Sequence, residues 1–188
     1  MWYSDMRQST ALADRMPLDD FLAMVNDYFE STAGAVLDHG GEVLRFIGDA
    51  VIAIFPFEAE RRPMADMARA AVATAREAAA RIERRNASLA AAAHEPIRYG
   101  ISLHVGSVLY GNIGTNDRLE FSVVGPAANE VVRLESLCKT LGATLVASER
   151  FAALYPEEMI YLGAHPVAGL EKGLEAHTLP DFRPEASV

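Results

Sequence analysis

Two strand-like runs, residues 43–47 and 51–55, are separated by Gly48-Asp49 and closed by Pro56, and no other feature constrains this chain as much. Apolar β-formers on both sides of a Gly-Asp step predict a tight hairpin, which would hold the Asp49 carboxylate at a strand end. The hairpin is expected to lie centrally in a sheet. A second segment, residues 121–133, reads as a strand, a Gly125-Pro126 break, and a helix carrying Asn129 and Arg133 four residues apart on one face. Together the two segments point to an acidic metal site and a cationic phosphate site in one fold.

The rest of the chain supplies a scaffold for them. Residues 2–5 read as the end of a buried strand with Asp5 at its C-terminal end. Apolar residues at three and four spacings predict an amphipathic helix over 17–38, stopped by Gly40-Gly41, and a second, Ala-rich helix from Pro63 to about Ala92. Residues 97–105 form the next strand, and a Gly-punctuated stretch over 106–114, returning through 118–124, predicts an extended arm of the kind that meets a partner. A helix from Pro126 to about Thr140, a short strand over 145–147, a helix capped by Ser148 and two further strands complete the order. This order predicts an α+β fold, a single domain over residues 1–188, with helices on one face of a sheet that resembles a ferredoxin-like core. Because the first strand begins almost at residue 1, the reading expects a catalytic fragment with a regulatory domain upstream in the full-length protein.

Composition limits the function classes. The net charge of -9 argues against a nucleic-acid partner, which needs a basic stripe. Lys139 and Lys172 are the only lysines, so a bound polyphosphate would meet mostly arginine, whose rigid fork suits phosphate oxygens. No apolar run approaches the roughly 20 residues that span a bilayer. A lone Cys138 excludes an internal disulfide, and a cytoplasmic location is the expectation.

In a ferredoxin-like sheet the positions of Asp5 and Asp49 are neighbours. Two such carboxylates can hold a pair of Mg²⁺ ions, which prefer hard oxygen ligands and serve in-line displacement at phosphorus. Each has a plainer reading as well: Asp5 as a helix cap, and Asp49 as half of a favoured turn. Arg133 and Asn129, taken singly, are ordinary surface groups. Placed directly after a strand-to-helix junction, an Arg can stabilise charge developing on phosphorus and an Asn can orient a ribose.

These residues carry a resemblance to the class III adenylate and guanylate cyclase catalytic domains over essentially the whole chain. Residues 3–12 resemble the family's first metal motif, 40–49 the second, 111–114 the arm, and 121–133 the substrate segment. The resemblance implies conversion of ATP or GTP to a 3′,5′-cyclic nucleotide and pyrophosphate with two Mg²⁺ or Mn²⁺ ions per site. Asp5, Asp49 and the Met6 carbonyl would hold the metals, Thr10 would contact substrate, Asn129 the ribose and Arg133 the transition state. It also implies a head-to-tail homodimer, with the metal pair and the Asn-Arg pair of one site coming from opposite protomers.

Arg45 and Ser122 match the family's base-reading positions. Arg45 only donates, which suits adenine N1, and a guanine reader would be expected to place an acid there. ATP is therefore the favoured substrate and GTP the alternative. Three departures stand out: Gln8 and Ser9 where relatives have Gly and Phe, Pro126 where Asp is common, and Arg45 for Lys. The family's triphosphate-binding Lys is expected near residues 166–173, where Ala168 stands and Lys172 is the nearest substitute. A diguanylate cyclase would want an acid after Asp49, and Ala50 supplies none. A non-catalytic dimerisation or nucleotide-sensing module remains a different-class alternative.

Overall fold

The computed structural model describes residues 1–115, 118–167 and 173–183. Its elements run β1 (Trp2–Met6), α1 (Ser9–Ala13), α2 (Leu18–Asp38), β2 (Glu42–Ile47), β3 (Ala50–Ile54), α3 (Met64–Ala91), β4 (Tyr99–Leu103), β5 (Leu109–Thr115), β6 (Arg118–Val124), α4 (Pro126–Leu141), β7 (Leu145–Ser148), α5 (Glu149–Ala152), β8 (Ile160–His165) and β9 (Leu174–Thr178), with a 3-10 turn at Pro180–Phe182. Seven strands form one sheet in the order β2-β3-β1-β4-β7-β9-β8, and β5 pairs with β6 as a separate two-stranded ribbon. The first four strands have the ferredoxin-like arrangement, every pair antiparallel. The β4-to-β7 pairing is parallel, so the chain crosses over through α4 to reach it.

The β2-β3 hairpin is not central as expected. Its outer strand β2 is a sheet edge, because β1 inserts between β3 and β4 and leaves β2 only one neighbour. The expectation of helices on one face describes α2 and α3, whereas α4 covers the opposite face. Alternation along β1 explains this division. Trp2 packs among Ala35, Val36, Ala71 and Ala75 of α2 and α3, while Tyr3 points the other way and packs with Ile52 and Val131 of α4. The alanines at 68, 71, 75 and 78 form the buried stripe of α3, and their small side chains let the helix lie close on the sheet.

Specific polar contacts pin the elements that flank the ends of β1 and β3. The buried Tyr28 hydroxyl of α2 donates to Ser4 Oγ at 2.9 Å, one residue before Asp5. Ser102 Oγ of β4 donates to the Val131 carbonyl of α4 at 2.7 Å. Gly125 precedes α4 with φ of 142°, a conformation that favours glycine, and Pro126 follows at the first helical turn as the sequence predicts. Among the described residues, no helix is long and apolar enough to cross a membrane.

Candidate active site

Asp5 pairs with Ala50 across the β1-β3 ladder, and Asp49 immediately precedes Ala50 in the hairpin turn. The two-residue turn is built on Gly48, whose φ of +61° is one that glycine adopts without penalty. The two carboxyl groups meet closely enough to share a hydrogen bond, and Asp49 Oδ2 is buried without a partner. Burial, the neighbouring Asp49 charge and that shared bond push the Asp5 pKa up to about 6, with the Met6 backbone opposing them. A carboxylate pair so placed is short of positive charge, and its hard oxygens fit a divalent cation such as Mg²⁺ or Mn²⁺.

Two clefts open on either side of this pair. One, of about 430 Å³, is lined by Asp5, Met6, Arg7, Gln8, Arg98, Glu135, Ser136 and Lys139. The other, of about 400 Å³, is lined by Thr10 and Asp49 together with apolar residues of α2 such as Phe21 and Val25. The Met6 side chain packs in the core with Leu12, Met24 and Tyr28, so the part of Met6 that faces the cleft is backbone. Thr10 therefore stands with Asp49, on the first turn of α1. Gln8, at the N-cap of that helix, adopts a left-handed φ of 61°. The chain thus makes the turn that a glycine would ease, and accepts the strain of a side chain there.

Arg45 and Ser122, distant in sequence, meet directly: Arg45 Nη1 donates to Ser122 Oγ at 3.3 Å. A β-bulge makes this contact. The register slips between Val43 and Arg45, so Arg45 pairs with Ile52, whose side chain faces α4, and not with the strand face that Val43 shares with α2 and α3. Arg45 is thereby aimed at the ribbon that carries Ser122.

Asn129 and Arg133 lie on α4 as predicted, Asn129 exposed and Arg133 half-buried, and they line neither cleft. Within one chain the structure brings Asp5 to Asp49 and Arg45 to Ser122, and leaves the Asn-Arg pair facing outward. Lys172 and Ala168 lie outside the described residues. Arg98, Glu135, Ser136 and Lys139 of the Asp5 cleft were given no site role by the sequence reading. Arg98 is a lone cation before a strand, and Glu135 one acid among many; no local pattern marks either. Burial and the Asp5 charge raise the Glu135 pKa to about 7, against the opposing pull of Arg7.

Residues 1–169 match the family described as adenylate and guanylate cyclase catalytic domain. The chain is 30% identical over 149 residues to the terminal-differentiation-specific adenylate cyclase of Dictyostelium discoideum, covering 79% of this chain and 7% of that protein. It is 27% identical over 148 residues to adenylate cyclase 1 of Rhizobium meliloti, covering 78% of this chain and 22% of that protein. The chain therefore spans less than a quarter of the length of either relative. Among solved structures, a bacterial light-regulated adenylyl cyclase superposes with a TM-score of 0.83 at 25% identity, over 97% of this chain and 51% of that one. The guanylate cyclase domain of RhGC from Catenaria anguillulae, in complex with GTP, shares the fold with a TM-score of 0.78 at 22% identity, over 97% and 94% of the two chains. Motif order, sheet topology and these matches agree: the chain belongs to the adenylate and guanylate cyclase catalytic domain family of class III nucleotidyl cyclases.

Proposed function

We propose that this domain is an adenylate cyclase that converts ATP to 3′,5′-cyclic AMP and pyrophosphate in a head-to-tail homodimer. The observation that carries the reading is the contact of Asp5 with Asp49, a carboxylate pair with a buried, unpartnered oxygen and clefts on both sides. Asp5, Asp49 and the Met6 carbonyl are the groups that would hold two Mg²⁺ or Mn²⁺ ions. When bound, such ions activate the attacking oxygen and neutralise the leaving one.

The remaining work falls to this chain's side chains. Arg45 donates to adenine N1, and Ser122, which already accepts from Arg45, keeps a second lone pair for the adenine amino group. Asn129 orients the ribose so that its 3′-oxygen faces the α-phosphorus. The 3′-hydroxyl gives up its proton to solvent, a new bond forms between that oxygen and the α-phosphorus, the bond from the α-phosphorus to the bridging oxygen breaks, and pyrophosphate leaves. Arg133 stabilises the charge that builds on the α-phosphoryl oxygens. Thr10 on one side of the carboxylate pair, and Arg98 and Lys139 in the cleft on the other, would hold phosphate oxygens. Lys172 is the further candidate carried by the sequence.

Support for the dimer comes from the surface. The β5-β6 ribbon exposes Leu109, Tyr110, Leu119, Phe121 and Val124, and Val132 is exposed beside Arg133 on α4. A two-stranded ribbon is marginal by itself, and an apolar patch on that scale marks an interaction site. The outward-facing Asn129 and Arg133 would then complete the partner's metal half-site. Residues 1–188 would form one catalytic domain within a longer, regulated protein, consistent with the small share of its relatives that the chain spans.

The deciding experiment incubates purified protein with ATP or GTP and Mg²⁺ or Mn²⁺ and separates the products. Cyclic AMP as the main product is the expected result. Cyclic GTP-derived product alone would keep the cyclase and overturn the base assignment, and no cyclic product from either nucleotide would overturn the enzymatic reading.

A further inference from the structure

Val131 stands on the inner face of α4, midway between Asn129 and Arg133. Two residues along a helix turn the side chain through about 200°, so a residue pointing into the sheet lies behind neighbours two positions away that point out. Burial follows this geometry: Val131 is buried, Asn129 exposed and Arg133 half-buried. Whatever holds the backbone at Val131 therefore sets where the Asn129 amide and the Arg133 guanidinium stand.

Ser102 of β4 holds it. Its buried side chain faces the α4 side of the sheet beside Tyr3, its neighbour in the β1-β4 register, and Tyr3 packs on Val131. Ser102 Oγ donates to the Val131 carbonyl at 2.7 Å. A carbonyl has two lone pairs, so one inside a helix can take this bond from outside as well as its own helical partner. The rest of the inner face of α4 is apolar or soft: Leu134 and Leu137 are buried, and Cys138 Sγ contacts the Ile101 carbonyl at 3.3 Å. Gly100, two residues before Ser102 on the same strand face, offers the helix no side chain to lock against. Apolar contact is non-directional and tolerates sliding, whereas a short hydrogen bond to one particular carbonyl fixes the register.

We propose that Ser102 is a positioning residue for the reaction: by holding the Val131 carbonyl it sets the register of α4 on the sheet, and with it the reach of Asn129 and Arg133. It touches neither substrate nor metal. The proposal rests on the roles assigned to Asn129 and Arg133 and on their serving the partner's metal half-site. In Ser102→Ala the apolar contacts remain, the helix is free to shift along the sheet, and the two outward groups lose their aim.

The test is cyclic nucleotide formation at saturating substrate in dimers with one competent site. In a mixture of Asp49→Ala and Arg133→Ala proteins, the Asp49→Ala chain supplies Asn129 and Arg133 to that site, and the Arg133→Ala chain supplies the carboxylates. Adding Ser102→Ala to the Asp49→Ala chain is expected to lower activity on the order of tenfold, the scale of a small misplacement of catalytic groups. Adding it to the Arg133→Ala chain should leave activity within about twofold of the parent mixture, because the α4 of that chain serves the dead site. Equal losses in both arrangements mark a merely structural Ser102 and overturn the proposal, as does a loss confined to the Arg133→Ala chain or no loss at all. If Ser102→Ala does not fold, by circular dichroism, Ser102→Cys takes its place: the thiol fills the same space but donates weakly. A smaller loss of the same one-sided kind is then expected, and its absence refutes the idea. If the parent mixture stays inactive although wild type is active, the shared site is overturned and the homodimer decides. Ser102→Ala should then lower kcat with KM unchanged, and an unaltered kcat refutes the proposal. A wild type that forms no cyclic nucleotide removes the cyclase reading and the proposal with it.

Discussion

Arg45 of β2 donates to the hydroxyl of Ser122 on β6 at 3.3 Å, so the two residues assigned to the base sit in one hydrogen-bonded unit of one chain. The pairing makes their effects on substrate choice interdependent. Arg45→Glu replaces a donor with an acceptor while Ser122 keeps a partner, since its hydroxyl can donate to the new carboxylate. The ratio of GTP to ATP turnover is expected to rise by about ten- to a hundredfold, as one mismatched buried polar pair costs about 1–3 kcal/mol. Parallel kcat/KM measurements with both nucleotides check it; an unchanged ratio would remove Arg45 from base reading.

The outward position of Asn129 and Arg133 predicts complementation. Asp49→Ala and Arg133→Ala proteins should each be inactive alone, and mixing them should restore activity at one of the two sites of the mixed dimer. A statistical mixture yields about a quarter of wild-type activity if the subunits exchange freely. Mixtures that stay inactive, while light scattering shows subunit exchange, would rule out shared sites.

Gln8 carries the strain of a left-handed backbone at the entrance to α1. Gln8→Gly should remove about 1–2 kcal/mol of strain and cost about 0.5–1 kcal/mol through the freer unfolded chain. A net gain of up to about 1.5 kcal/mol is expected in urea unfolding.

The raised pKa values of Asp5 and Glu135, about 6 and about 7, predict proton-linked metal binding. Mn²⁺ requires the ionised carboxylate, so its uptake must displace the proton that Asp5 holds at low pH. Apparent affinity should climb as pH rises through about 6 and flatten above about 7.5. Titrations between pH 5 and 8 in nucleotide-free protein give the slope, and a flat profile would contradict the buried-pair electrostatics.

Gly100→Ala tests how closely α4 and β4 approach. The added methyl group must displace the Glu135 carboxylate, the movable end of a long side chain, and press on Cys138 Cβ. A stability loss of about 1–2 kcal/mol is expected by thermal unfolding.

Much of this fold could be read in the sequence because its signals are local. The spacing of apolar residues marks α2 and α3, Gly48-Asp49 marks the hairpin, and Pro126 after Gly125 marks the start of α4. The candidate residues with a motif of their own, Asp5, Asp49, Asn129 and Arg133, were legible for the same reason. Arg98 and Glu135 were not, since a single charge carries no pattern and their positions depend on how β4 and α4 pack beside β1.

The sequence by itself determined which elements form and which side chains offer cationic, anionic or hydrogen-bonding chemistry, because periodicity, turns and caps are properties of neighbouring residues. Only the tertiary structure decided which of those groups meet. Placing the hairpin at the sheet edge depended on β1 inserting between β3 and β4, a long-range pairing. Turning Arg45 toward Ser122 depended on one slipped residue in β2. In a strand such a slip reverses the face on which every later side chain stands, and its cause lies in the partner strand and the packing above it.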